Sequence, residues 1–158
     1  MHKIDKIDYD IVRLLMHDGR MPCVDIARKI CISGRSVRYR LDRLIDEKII
    51  QVRAISNPMA LGYTVIADVF IEVEPGLIPE VAQNLVNYDC VSYVACSTGE
   101  RDISVQVIAK TNAEVYSFVT EVIGKIPGVR KTTTSIVPIT LKDVYDWCLP
   151  LSDCVSNS

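Results

Sequence analysis

The sequence predicts an α+β protein with two modules, an N-terminal three-helix helix-turn-helix domain joined to a C-terminal ferredoxin-like βαββαβ domain. Apolar residues recur at helical spacing in the first third and alternate between strand and helix spacing afterwards. Charge divides at the same place. Residues 1–53 contain 12 Lys and Arg against 8 Asp and Glu, a net charge of +4, whereas residues 54–158 contain 6 against 12, a net charge of −6. A basic first module and an acidic second module indicate different partners.

Composition excludes several other classes of protein. Apolar residues make up 49% of the chain and charged residues 24%, which is typical of a globular protein. No apolar run approaches the roughly 18 residues that span a bilayer, and the N-terminus has no signal-peptide core. The six cysteines and the two histidines, His2 and His17, show no zinc-ligand spacing. We therefore expect a soluble, cytoplasmic protein with reduced thiols, no metal and no membrane partner.

Three helices are predicted in residues 1–53. The apolar residues at helical spacing in the first helix are Ile7, Ile11, Leu14 and Leu15. Asp5 or Asp8 can cap this helix, because short acidic side chains accept hydrogen bonds from the first free backbone N–H groups. Pro22 suits the first position of a short second helix. After a tight turn, Ser33 suits the N-cap of a third helix over residues 34–47, which predicts a helix-turn-helix.

The polar side of the third helix carries the residues that we predict to bind DNA. Between positions 35 and 43 there are four arginines and one acid, and the planar guanidinium suits both phosphate oxygens and the O6/N7 edge of guanine. Contacts to base edges are predicted for Arg35, Ser36 and Tyr39. Contacts to phosphates are predicted for Arg38, Arg40 and Arg43. Arg40 has an alternative role as a strut between helices, and a merely solvated basic face is the alternative for the whole set.

Residues 54–64 form a structured connector, and residues 50–55 alternate loosely enough to form a short strand. Residues 65–141 then read as strand, helix, strand, strand, helix, strand. The predicted strands are 65–74, 91–98, 102–109 and 130–141, and the predicted helices are 78–88, with Val81, Leu85 and Val86 buried, and 112–126. Asn112 is the expected cap of the second of these helices. This order is that of a ferredoxin-like four-stranded antiparallel sheet with both helices on one face.

The opposite face of the predicted sheet is unusually apolar for a solvated surface. Ile66 and Phe70 of the first strand and Tyr93 of the second lie on it. Such a face is more typical of an interface, so we expect two copies of the chain to dimerise sheet to sheet. Residues 142–158 form a polar-ended tail, for which an oligomer interface and partial disorder are alternatives.

Residues 4–62 resemble the DNA-binding half of the Lrp/AsnC (feast/famine) transcriptional regulators, and the resemblance continues through the second half. The residues that carry it are Ile7, Asp8, Ile11, Leu14, Asp18, Gly19, Arg20, Ile26, Ala27, Ser33, Arg40, Leu41, Arg43, Leu44, Ile49, Ile50, Asn57, Pro58 and Gly62. The resemblance implies a homodimer, with tetramers or octamers as alternatives, that binds a near-palindromic double-stranded DNA operator. The family usually has Gly where Cys31 stands, so Cys31 must adopt a left-handed conformation or alter the turn.

The resemblance also implies that the second half is a RAM or ACT-like module that senses a small molecule, usually an amino acid. The implied effector residues are Thr98, Gly99, Arg101, Asp102, Thr132 and Thr134, and Thr133 of the same strand is a further candidate. Asp102 can accept hydrogen bonds from an ammonium group, and the alternative is that Gly99 and Asp102 merely form and cap a turn. The family commonly has an aromatic or apolar residue where Arg101 stands. This cation favours an acidic or carboxylate-bearing effector, or none.

The predicted function is therefore sequence-specific transcriptional regulation without enzymatic activity, with no cofactor other than an amino-acid effector. One alternative is an architectural DNA-binding protein with little sequence preference. Another is an enzyme of the same fold, such as a haem-precursor decarboxylase. That enzyme would need a histidine to ligate iron or donate a proton, and His17 lies in the DNA-binding half. The chain also lacks paired carboxylates, a Gly-rich phosphate loop and a nucleophile elbow.

Overall fold

A computed structural model describes residues 4–154 of the chain, which divide into two compact units. The first unit contains the residues through Ile55 together with those from Lys142 onward, and the second contains Ser56–Leu141. The chain therefore leaves the first unit once and returns to it. His2 and positions 155–158 of the predicted tail lie outside the described residues. None of the helices in residues 4–154 is both long and apolar enough to cross a membrane.

The first unit contains the three predicted helices. They are α1 (Lys6–His17), α2 (Cys23–Ile30) and α3 (Gly34–Asp46). A reciprocal capping box opens α1, because the Asp5 carboxylate accepts from the backbone N–H of Asp8 at 2.9 Å and the Asp8 carboxylate accepts from that of Asp5 at 3.2 Å. Ser33 caps α3 as predicted by accepting from the backbone N–H of Ser36 at 3.2 Å. Both caps are encoded by residues three positions apart.

The turn between α2 and α3 shows how the chain accommodates the missing glycine. Cys31 adopts the left-handed conformation, with φ 57° and ψ 42°, and the turn is otherwise normal in length. Three local predictions were wrong. Pro22 is the N-cap of α2 and not its first residue. Ile45, which the helical spacing of apolar residues in α3 placed on the inward side with Leu44, is 40% exposed. Residues 51–57 form no strand.

The second unit has the predicted order of elements. Its strands are β1 (Val65–Val73), β2 (Val91–Cys96), β3 (Ile103–Ala109) and β4 (Val129–Val137), and its helices are α4 (Ile78–Leu85) and α5 (Asn112–Ser117). The strands follow the order β2-β3-β1-β4, and each neighbouring pair is antiparallel. This is the ferredoxin-like topology that the sequence predicted.

The core of the second unit lies between the two helices and one face of the sheet. Residues 67, 69, 71 and 73 of β1 are buried in it, as strand alternation predicted. Val86 was predicted to be buried but is 52% exposed, because α4 ends at Leu85. Thr111, not Asn112, caps α5. Beyond Ser117 the helix continues as a π turn, Phe118–Val122, which a regular helical period does not predict.

Candidate nucleic-acid interface and effector site

The exposed side of α3 presents the side chains predicted to read DNA. Arg35, Arg38 and Tyr39 are exposed, with Tyr39 at 72%, and their spacing of three and four residues places them on one helical face. The opposite face of α3 is anchored by Val37 and Leu44, which are fully buried. Within residues 4–154 the side chains of Arg35 and Arg38 form no ion pair. Their guanidinium groups are therefore available to a DNA partner.

Arg40 and Arg43 are placed differently, because both pair with one buried carboxylate of α1. The Nη1 of Arg40 lies 2.8 Å from Oδ1 of Asp8 and 2.8 Å from Oδ2 of Asp5. The Nη2 of Arg43 lies 2.5 Å from Oδ2 of Asp8, whose side chain is 1% exposed. This geometry matches the strut that was the alternative for Arg40. It favours the same role for Arg43, for which only a phosphate contact was predicted.

The charges of this cluster compensate one another. Burial lowers the pKa of Arg40, but hydrogen bonds and attraction to Asp8 and Asp5 outweigh burial and raise that pKa above its ordinary value. Two arginines and two aspartates make the cluster formally neutral, so the positive charge that α3 offers outward is that of Arg35 and Arg38. The sequence signal that could have revealed this pairing is the position of Asp8. It lies one helical turn before the buried Ile11 and therefore on the inward side of α1.

The hairpin between β2 and β3 holds four of the six implied effector residues, Thr98, Gly99, Arg101 and Asp102, and its aspartate is engaged within the fold. The Asp102 carboxylate accepts from the backbone N–H of Val73 at 2.7 Å, and its backbone N–H donates to the carbonyl of Ile71 at 3.0 Å. Gly99 has φ +139°, as a glycine-dependent turn requires. The Asp102 carboxylate therefore ties the hairpin to β1 instead of capping the hairpin turn, and the backbone carbonyl of Asp102 accepts from the backbone N–H of Ser97 at 2.9 Å.

The remaining implied effector residues divide between the two faces of the sheet. The guanidinium carbon of Arg101 lies 4.1 Å from the ring centroid of Phe70. Phe70 pairs with Thr133 on the face of the sheet that neither α4 nor α5 covers. Thr132 and Thr134 pair with residues of β1 that point into the core, so they face the helix side. Within one chain, Arg101 therefore shares a face with the candidate Thr133 and not with Thr132 and Thr134. Thr98 is exposed in the hairpin loop.

A capped helix-turn-helix with an exposed Arg and Tyr face, followed by a separate ferredoxin-like unit, is the architecture of a DNA-binding regulator. Residues 4–45 match the family model of the AsnC-type helix-turn-helix domain, and residues 66–146 match that of the Lrp/AsnC ligand binding domain. Together these matches cover most of the chain. The chain belongs to the Lrp/AsnC family of transcriptional regulators.

Curated relatives match over nearly the whole length. The chain is 38% identical to the HTH-type transcriptional regulator FL11 of Pyrococcus abyssi, over 90% of this chain and 95% of the relative. It is 36% identical to the HTH-type transcriptional regulator PH0140 of Pyrococcus horikoshii, over 90% of this chain and 91% of the relative. These matches support a DNA-binding transcriptional regulator.

Solved structures match the fold. The structure of AsnC from E. coli superposes with a TM-score of 0.84 at 23% identity and covers 90% of this chain and 97% of its own. The transcriptional regulator NMB0573 of Neisseria meningitidis, solved as a complex with L-Met, superposes with a TM-score of 0.83 at 23% identity, over 89% of this chain and 94% of its own.

Proposed function

We propose that this regulator acts as a homodimer whose two α3 helices bind a near-palindromic operator, and that a carboxylate-bearing small molecule modulates the binding. The proposed DNA contacts rest on the different placement of the arginines of α3. Arg35, Arg38 and Tyr39 stand on the exposed face, whereas Arg40 and Arg43 are tied to Asp8. A helix held in this way presents its forked donors to the major groove in one orientation.

Roles on the exposed face follow from position along the helix. Arg35, Ser36 and Tyr39 lie in the first turns of α3, the part of a recognition helix that contacts base edges. Arg38 is assigned to a phosphate. Arg40 and Arg43 are assigned to positioning. Their guanidinium groups hold α3 against α1 and affect DNA binding by fixing the orientation of α3.

Substitutions on α3 test these assignments by fluorescence anisotropy on the gene's own upstream DNA and on random duplex. Arg35→Ala should weaken the operator complex by about 1–3 kcal/mol and relax the preference at one base position. Arg38→Ala should weaken both duplexes alike and flatten the slope of log affinity against log salt by about 0.9. Lys125→Ala, in the second unit and paired with Glu121, is the matched control and should leave both affinities unchanged.

Two outcomes would contradict this part of the proposal. Equal losses on operator and random DNA for Arg35→Ala would remove its role in base readout. A wild-type protein with equal affinity for operator and random duplex would favour the architectural alternative over a sequence-specific regulator.

Dimerisation is assigned to the face of the sheet that no helix covers. Tyr93 is 54% exposed there, and Ile66, Phe70 and Ile108 are only half-buried. Apolar area of this kind favours sheet-to-sheet packing with a second copy. We expect Tyr93→Glu to shift the protein toward monomer in sedimentation velocity. Tyr116→Glu, on α5 and 71% exposed, is the control, and an unchanged dimer in Tyr93→Glu would overturn the assignment.

The effector proposal rests on Arg101 and on the ligand-binding family of the second unit. A structural neighbour was solved with L-Met, and Arg101 adds a cation that suits a carboxylate. A thermal-shift screen of the common amino acids should show stabilisation by one of them, reduced in Arg101→Gln. Equal stabilisation of the wild type and of Arg101→Gln by the same amino acid would contradict the proposal. We propose no catalytic role and no cofactor beyond this effector.

A further inference from the structure

The C-terminal segment, residues 142–154, belongs to the same unit as the DNA-binding helices. Its residues 145 and 147–149 line a cleft of about 740 Å³ whose other walls are the start of the chain, α1 and residues 48–55. We call residues 48–55 the exit segment, because the chain passes through them on its way to the second unit. No lining residue belongs to α2 or α3, so the C-terminal segment leaves the DNA-reading side open.

One direct contact joins the two segments. The guanidinium carbon of Arg53 lies 4.7 Å from the ring centroid of Tyr145, a cation–π geometry. The start of the exit segment is held by the end of α3, because the backbone N–H groups of Lys48, Ile49 and Ile50 donate to the carbonyls of Ile45 and Leu44. Between Ile50 and Asn57 the residues adopt no helix or strand and are exposed, and among residues 4–154 their backbones form no hydrogen bond in positions 51–56.

Chain connectivity gives this contact its significance. The exit segment leads into the second unit, and the C-terminal segment returns from it only four residues, 138–141, after the end of β4 at Val137. Two covalent links therefore join the units, and Arg53 on Tyr145 clasps the outgoing link to the returning one. A clasped pair of links restricts rotation more than a single exposed segment does.

We propose that the C-terminal segment is a strap that holds the exit segment through Tyr145 and Arg53 and thereby limits rotation of the DNA-binding unit about its links to the second unit. The inference rests on the proposed function, a dimer with two DNA-binding units. Restrained units match one half-site spacing, whereas freed units tolerate several, because tethered binding depends on how well the tether fits the span. Tyr145 is a positioning residue, since its effect on DNA binding comes from holding Arg53 and the exit segment in place.

The test compares Tyr145→Leu with Tyr145→Phe, which keeps the ring. Affinities are measured for a single half-site, for the operator, and for the operator with about 5 bp inserted between half-sites, which turns them to opposite sides of the duplex. Wild type and Tyr145→Phe should lose about 10-fold or more on insertion. Tyr145→Leu, and a chain ended after Leu141, should lose less than about 3-fold, because a flexible tether still spans both sites.

A second variant and a salt titration separate the strap from other roles. Arg53→Gln removes the same contact from the other side and should relax the spacing preference as Tyr145→Leu does. Neither substitution should change the salt slope. A slope flatter by about 0.9 in Arg53→Gln would make Arg53 a phosphate contact and overturn the strap.

Half-site binding distinguishes the two proposals. A wild-type protein that binds neither half-site nor operator contradicts the proposed function. Normal half-site binding by Tyr145→Leu with an undiminished spacing preference contradicts the strap alone. Circular dichroism of each variant confirms that it is folded before the affinities are compared.

Discussion

The two units of this protein maintain their geometry by different means. The second unit buries a cluster of thirteen apolar residues between sheet and helices, whereas the corresponding cluster of the first unit has four. The first unit adds the ion pairs from Asp8 to Arg40 and Arg43. Apolar packing is non-directional, while charged hydrogen bonds fix an orientation. The small DNA-binding unit thus specifies the angle of α3 with polar links, whereas the larger unit relies on its apolar core.

The largest expected effect comes from breaking the polar link. Asp8→Asn removes the carboxylate that pairs with Arg43 and one of the two that pair with Arg40, and removal of one partner of a buried pair costs about 3–5 kcal/mol. We expect a loss of about 3 kcal/mol in the free energy of unfolding of the first unit, measured by urea denaturation. Asp10→Asn breaks the exposed pair with Lys6 and should cost less than about 0.5 kcal/mol. Equal effects of the two variants would contradict the comparison.

The core of the second unit is tested by a close approach. Gly128 has φ +93°, and an added Cβ would lie 2.7 Å from Cδ1 of Leu77. Gly128→Ala should destabilise the second unit by about 2–3 kcal/mol, because overpacking adds to backbone strain. Gly76 has the same φ, but an added Cβ there meets no atom within 4 Å outside its chain neighbours. Gly76→Ala therefore measures the backbone strain alone, with an expected loss of about 1 kcal/mol in the free energy of unfolding. Thermal unfolding measures both variants, and a smaller loss for Gly128→Ala than for Gly76→Ala would be inconsistent with the packing.

A smaller effect of opposite sign is expected in the helix-turn-helix. Cys31→Gly relieves the left-handed strain at φ 57°, although glycine also gains freedom in the unfolded chain. The net result should be a gain of about 0.5–1 kcal/mol in the free energy of unfolding. Cys31→Ala keeps a Cβ and should give no gain. Chemical denaturation compares the three proteins, and equal stability of the Gly and Ala variants would rule out strain at this turn.

The smallest effect concerns the covered side of the sheet. Burial raises the pKa of the Cys90 thiol, with a further rise from Asp89 that a backbone hydrogen bond partly offsets. Near pH 8, Cys90 should therefore react with a thiol reagent more slowly than exposed Cys96, as followed by mass spectrometry. Because the pKa is raised in the folded state, its small contribution to stability is complete below the unfolded pKa and is lost as pH rises through the folded value. Equal labelling rates would refute this.

Local features of the sequence predicted most of the fold. The caps at Asp5 and Ser33, the strand alternation of β1 and the order of elements all depend on residues within a few positions of one another. The local errors have local causes. Thr111 displaced Asn112 as the cap, and the π turn over Phe118–Val122 shifted the helical period.

The candidate site was only partly predictable for the same reason. The exposed face of Arg35, Arg38 and Tyr39 follows from helical period alone. The division of Arg101 from Thr132 follows from the register of β4 against β1, which a one-residue shift would reverse. No short stretch of the sequence specifies that register, because β1 and β4 lie far apart along the chain.

By itself the sequence determined the two modules, their opposite charges and the exposed face of Arg35, Arg38 and Tyr39, because periodicity and capping are local. Only the tertiary structure decided that Arg40 and Arg43 serve α1, since Asp8 lies 32 and 35 positions away from them. Only the tertiary structure placed Tyr145 on Arg53. Pairings across such distances depend on how the elements pack, and packing depends on the whole chain.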